Sequence, residues 1–130
     1  MKSGRNILLS LSVLLVAVGG LSTPAPVLAQ NAPPSYIAAP DVYKLLSEND
    51  QFRVILATWK PGQRDAWHSH ASPSAVYRLT DCSNRAYTPD GQVGGRSGKR
   101  GDVAFNAIIP SHSLENVGTA DCQVVIVERK

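Results

Sequence analysis

The sequence predicts an all-β domain, a sandwich or barrel with little helix. Three observations predict it: a series of short runs rich in β-branched and aromatic residues, turn chemistry between the runs, and only one stretch with helical character. The chain has 130 residues, enough for one such domain and not two.

The first element lies outside that domain. Lys2 and Arg5 precede an apolar run from Ile7 to Val18, Gly19 and Gly20 break it, and small residues lead to Ala29. This is the layout of a cleaved secretory signal, predicted over residues 1–29 with Gln30 as the first mature residue. The apolar run is shorter than the roughly 20 residues a membrane span needs, so no stable membrane anchor is expected after cleavage. Export to the periplasm or the medium follows. The alternative is an uncleaved anchor.

Cleavage also changes the charge. The whole chain carries 13 basic and 10 acidic residues, a net of +3. Lys2 and Arg5 leave with the signal, and 11 basic residues then face 10 acidic ones. Nucleic-acid binding needs a clustered basic footprint, and Arg96, Lys99 and Arg100 in a glycine-rich stretch read better as a solvated loop. No nucleic-acid partner is expected.

Residues 30–49 read as an extended, proline-rich lead-in, with one helical turn or short strand at 41–46. Strand signals begin in earnest at Phe52 and run to Trp59, where Lys60-Pro61-Gly62 stops them. Further strands are expected near 66–70, 75–80, 85–88, 103–105, 112–117 and 123–128. Pro89-Asp90-Gly91, Gly94-Gly95, Gly98, Gly101 and Gly118-Thr119 supply the turns. The domain is therefore placed at 50–130. Two cysteines, Cys82 and Cys122, survive cleavage and offer one intramolecular disulfide in an oxidising compartment, or two free thiols.

The chemistry rests on three histidines. His68 and His70 stand two apart in a strand-like stretch, so both side chains leave one face of the sheet. If that face is the interior, two adjacent imidazoles need hydrogen bonds or a metal ion. His112 lies on a separate strand and can close a third corner. Gly94 to Lys99 has neither the spacing nor the hydroxyl of a phosphate loop.

Spacing sharpens this reading. Gly62 precedes His68-Ser69-His70 as Gly-x5-His-x-His, and Gly101 is followed by His112 and then Asn116 as His-x3-Asn. In these residues, in Asp102 and in the run Val76 to Leu79, the chain resembles the cupins over roughly 50–130. The resemblance implies a jelly-roll β-barrel and one divalent metal ion on His68, His70 and His112. It also implies a small-molecule ligand or substrate, and is compatible with a homodimer. It further implies that the strands near Cys82 and Cys122 run antiparallel side by side, which favours their bridge.

The departures bear on function. The motif glutamate falls at Ser74 or Ala75, and the second motif's proline and glycine become Ala107 and Ile109. A neutral three-histidine set resembles open zinc sites and favours zinc, nickel or copper, with iron and manganese still accommodated. Tyr77 is expected to face inward as a pocket wall or core residue. Asn116 either orients a ligand or makes a structural hydrogen bond, and Arg64 meets an anion at the rim or is a solvated turn residue. No general base beyond these is identifiable, so the catalytic residues are left unassigned. A metal-dependent enzyme (dioxygenase, decarboxylase or isomerase), a non-catalytic binding module and a metal-free β-scaffold all remain open.

Overall fold

A computed structural model describes residues 32–130; the predicted signal segment lies outside them. Every ladder joining its named strands is antiparallel. The strands are β1 (Tyr43–Glu48), β2 (Phe52–Trp59), β3 (His68–His70), β4 (Ser74–Arg78), β5 (Asn84–Tyr87), β6 (Val93–Gly95), β7 (Val103–Asn106), β8 (Ile109–Asn116) and β9 (Cys122–Arg129). One short helix, α1 (Ser35–Ala38), precedes them. The strands form two sheets, in the orders β1-β2-β9-β4-β7 and β3-β8-β5-β6. Among the described residues no helix is long and apolar enough to cross a membrane.

Period-two alternation builds the core. On β2 the residues Ile55, Ala57 and Trp59 are buried, and on β9 so are Cys122, Val124 and Ile126. Their register is direct: Ile55 opposes Ile126, Ala57 opposes Val124, and Trp59 opposes Cys122. Burying each large apolar side chain contributes roughly 1.5–3 kcal/mol before entropy is counted. Glu128 has the same parity and is buried with them, at 4% exposure.

The stretch read as a lead-in carries structure of its own. The stretch 41–46, read as a helical turn or a short strand, is a turn at 41–42 leading into β1, which pairs with β2. The helix lies instead at Ser35–Ala38, where an extended chain was expected, and Ala39, Val42 and Tyr43 join the core. Pro34 bridges Ser69, and the Ser69 N–H donates to the Pro33 carbonyl at 2.8 Å, so the lead-in covers the outer edge of β3. A second difference is β6, a strand through Gly94-Gly95 where turn chemistry alone was expected. Pairing with β5 overrides the weak strand propensity of glycine.

Two glycines of the spacing motifs have a conformational reason. Gly62 (φ 75°) and Gly101 (φ 88°) occupy the left-handed region that other residues rarely enter. Gly62 turns the chain after β2 and donates its N–H to the Asn116 carbonyl at 2.8 Å.

A disulfide joins Cys82 and Cys122, with Cα atoms 4.8 Å apart. As expected, it lies where β4 and β9 run antiparallel: Leu79 N–H donates to the Gln123 carbonyl just beyond their ladder. Cys82 also exchanges two backbone hydrogen bonds with Gly98.

Candidate metal centre

Three strand positions converge in the interior. β3 pairs with β8 so that His68 lies directly opposite His112, and His70 follows on the same face of β3. The ring centroids are 4.3 Å apart for His68 and His112, 5.1 Å for His68 and His70, and 5.2 Å for His70 and His112. Each ring offers one nitrogen, and the three nitrogens lie within 4.8 Å of one another. All three residues are buried.

Hydrogen bonds decide which nitrogens are free. His70 Nδ1 lies 2.5 Å from Glu128 Oε1, and a carboxylate only accepts, so Nδ1 carries the proton and Nε2 keeps its lone pair. His68 Nδ1 donates to the Ala66 carbonyl at 2.8 Å, which leaves its Nε2 as the acceptor. That Nε2 lies 3.0 Å from the Tyr43 hydroxyl, whose single proton also faces Asp65 Oδ2 at 2.8 Å. His112 Nε2 is buried and has no hydrogen-bond partner among the described residues. An unpartnered imidazole nitrogen costs free energy unless something binds it. The residues present therefore fit a metal ion.

Asp65, Tyr43 and Glu128 were not singled out from the sequence, and they shape the centre. Asp65 accepts from Tyr43 Oη, from Trp59 Nε1 at 2.9 Å and from the Leu114 N–H at 2.7 Å. It ties β1, β2 and β8 together behind His68. Glu128 holds His70 through one oxygen and faces Arg53 Nη1 at 3.5 Å through the other. Its alternation with Cys122, Val124 and Ile126 was the available signal. Tyr43 lay in the presumed lead-in, where nothing marked it.

Burial favours the neutral form of two of the imidazoles, His68 and His112. Burial, then the neighbouring His68 and His70, then Arg96, push His112 down to about 2. Burial also lowers His68, against the opposing pull of Asp65. Burial, followed by the Asp65 charge, raises the Tyr43 hydroxyl well above its usual value. An unfolded histidine titrates near about 6.5, so below that pH the unfolded chain binds more protons than the native one. The stabilisation is complete above about pH 6.5 and is lost as pH falls through the window below it. Metal-free protein is expected to show a melting temperature that declines from about pH 7 to about pH 5, less steeply in His112→Gln. Thermal scans across that range check it; equal slopes would contradict it.

The remaining sequence candidates lie elsewhere. Tyr77 is 47% exposed and points outward, a correction to the expected inward orientation. The register sets this: Ser74 pairs with Glu128 and Val76 with Ile126, both inward residues of β9, so the inward set on β4 is Ser74, Val76 and Arg78. Asn116 is buried but structural; its Nδ2 donates to the Trp59 and Ala120 carbonyls and its Oδ1 accepts from the Gly118 N–H. Arg64 is on the outside, donating to Ser113 Oγ at 2.9 Å with its guanidinium 3.8 Å from the Tyr87 ring centre. None of these three lines the cavity beside the histidines.

That cavity has a volume of about 80 Å³ and runs between the sheets from His70 and His112 toward the disulfide. No protein-family model matches the chain, and no curated protein does. Solved structures do. A cupin domain from Bordetella pertussis Tohama I is 20% identical over 76% of this chain and 96% of that one, with a TM-score of 0.63. The chain has the cupin fold. A cupin-family protein of double-stranded β-helix fold from Methanocaldococcus jannaschii is 11% identical over 68% of this chain and 78% of that one, at a TM-score of 0.56. An oxalate decarboxylase variant from Bacillus subtilis is 20% identical over 62% of this chain, at 0.50, and this chain spans only 22% of it. In cupin terms, the two spacing motifs supply β3 and β8, the strands that bring the histidines face to face.

Proposed function

We propose that this protein is an exported cupin that holds one divalent metal ion through His68, His70 and His112 and receives a small polar molecule in the adjoining cavity. The observation that carries this reading is His112 Nε2, buried and unpartnered beside His70, whose bond to Glu128 leaves Nε2 free, and His68, whose Nε2 meets only the Tyr43 hydroxyl that Asp65 also engages. Three neutral imidazoles suit zinc, nickel or copper best, and iron or manganese less well. A bound ion would supply Lewis acidity to a ligand in the cavity. Export is supported by the signal-like first 29 residues and by the disulfide, which persists in oxidising compartments.

The carboxylates favour binding over turnover. Asp65 is engaged by three donors, and Glu128 by His70 and Arg53. Neither is left with the freedom of a general acid or base. The chain's own residues orient the imidazoles of His68 and His70.

Elemental analysis of protein recovered from its export compartment tests the reading, beside a His68→Ala/His70→Ala variant. About one equivalent of metal in the native protein, and none in the variant, is expected. Native protein that stays metal-free after incubation with zinc, nickel, copper, iron and manganese would sink it.

A further inference from the structure

The cavity has a definite chemical character. Among the residues lining it are two arginines, Arg78 and Arg96, and no aspartate or glutamate. Glu128, the nearest acid to the imidazoles, is turned toward His70 and Arg53. Besides His112 Nε2, which the proposed metal would take, two groups on the wall are polar, more than nine-tenths buried and unpartnered among the described residues: Ser74 Oγ on β4 and Asn84 Oδ1 on β5. They come from both sheets, so the unmet hydrogen bonds face the space between the sheets. Buried polar atoms without partners are uncommon, and two facing one cavity call for an occupant.

Arg78 is positioned for this space by its surroundings. Its side chain crosses Gly98 so closely that a Cβ there would lie 2.5 Å from Arg78 Nε. Only one long hydrogen bond, Nη2 to the Ser97 carbonyl at 3.4 Å, engages its guanidinium. Arg96 follows β6 and is anchored by its backbone N–H to the Asn84 carbonyl at 2.8 Å. Within the basic stretch, Lys99 pairs with Asp81, while Arg96 turns to the cavity.

We infer that the cavity binds a small carboxylate that also carries a hydroxyl, its carboxylate toward Arg78 and Arg96 and its hydroxyl toward Asn84 and Ser74. Guanidinium and carboxylate match in charge and in planar geometry. A carboxylate has no proton to give, whereas Asn84 Oδ1 needs a donor, and a hydroxyl supplies one. The volume holds several waters, and hence a molecule of only a few non-hydrogen atoms. This inference deepens the proposed small-molecule site, but its arginines act with or without a metal.

The test is calorimetric titration with glycolate, acetate and glycolamide, on protein stripped with a chelator and on protein reloaded with zinc. Glycolate is expected to bind best, acetate more weakly for want of the hydroxyl, and neutral glycolamide at least about tenfold more weakly than glycolate. Arg96→Gln, at an exposed position, and Arg78→Gln are each expected to weaken glycolate binding about tenfold or more. Glycolate binding no better than glycolamide, no glycolate binding in either form, or full binding in both folded arginine variants overturns the inference. Zinc uptake without a glycolate response defeats this inference and leaves the metal site standing. Arginine-dependent glycolate binding in protein that takes up no metal does the reverse.

Discussion

Replacing Glu128 by glutamine is expected to weaken zinc binding by about 10- to 100-fold while leaving the fold intact. Glutamine keeps the shape and an acceptor oxygen for His70 Nδ1 but removes the negative charge that makes Nε2 a strong donor. Arg53 is not left stranded, because Glu48 also pairs with it at 3.3 Å. Glu128→Ala removes the acceptor as well, and should weaken the site further. Competition against a chromogenic chelator reads both variants directly. The register provides a sharper control. Ser74 lies directly across from Glu128 on the neighbouring strand, and Ser74 is, with Ala75, one of the two positions where the first spacing motif lacks its glutamate. The carboxylate is thus one strand over from the position where sequence reasoning looked for it, and it reaches the centre through His70. In a Glu128→Gln background, Ser74→Glu is expected to restore part of the affinity. Unchanged affinity in both Glu128 variants would reduce that residue to a buried ion-pair partner of Arg53.

This relocation shows what the sequence could disclose and what it could not. Strands β2, β4, β5, β7, β8 and β9 were legible because each alternates or carries β-branched residues between turn signals. The histidines were legible because spacing two along a strand fixes a shared face. Glu128 was hidden by distance: 58 residues separate it from His70, and only the packing of the sheet that holds β9 against the sheet that holds β3 brings them together. Reading the motif position alone therefore registered a lost charge where the fold retains one. Tyr77 failed for a related reason. Alternation gives parity but not its sign, and the sign on β4 is set by pairing with β9. Tyr43 and Asp65 belong to the same class, since their role behind His68 exists only once β1, β2 and β8 are assembled.

Removing the disulfide has the largest expected effect on stability. Cys82 and Cys122 are 40 residues apart in sequence, and closing a loop of that length constrains the unfolded chain by about 4 kcal/mol in the chain-entropy model. For a domain near 100 residues this corresponds to a fall in melting temperature of roughly 15–30 °C. The bridge also has a local consequence. It fastens the start of β9, in one sheet, to the segment that enters β5 in the other, and both half-cystines line the cavity. Hydrogen bonds from Thr80 to the Asp121 carbonyl and from Asn116 to the Trp59 and Ala120 carbonyls hold the same end, and the bridge adds a covalent tie to them. The Cys82→Ala/Cys122→Ala variant and the reduced wild-type protein are therefore expected to melt at similar, much lower temperatures, read by circular dichroism. A double variant that melts with the oxidised wild type would show that packing alone closes the barrel. Protein made in a reducing cytosol should likewise melt low until it is oxidised, and the size of that gain measures how far the fold depends on the bridge.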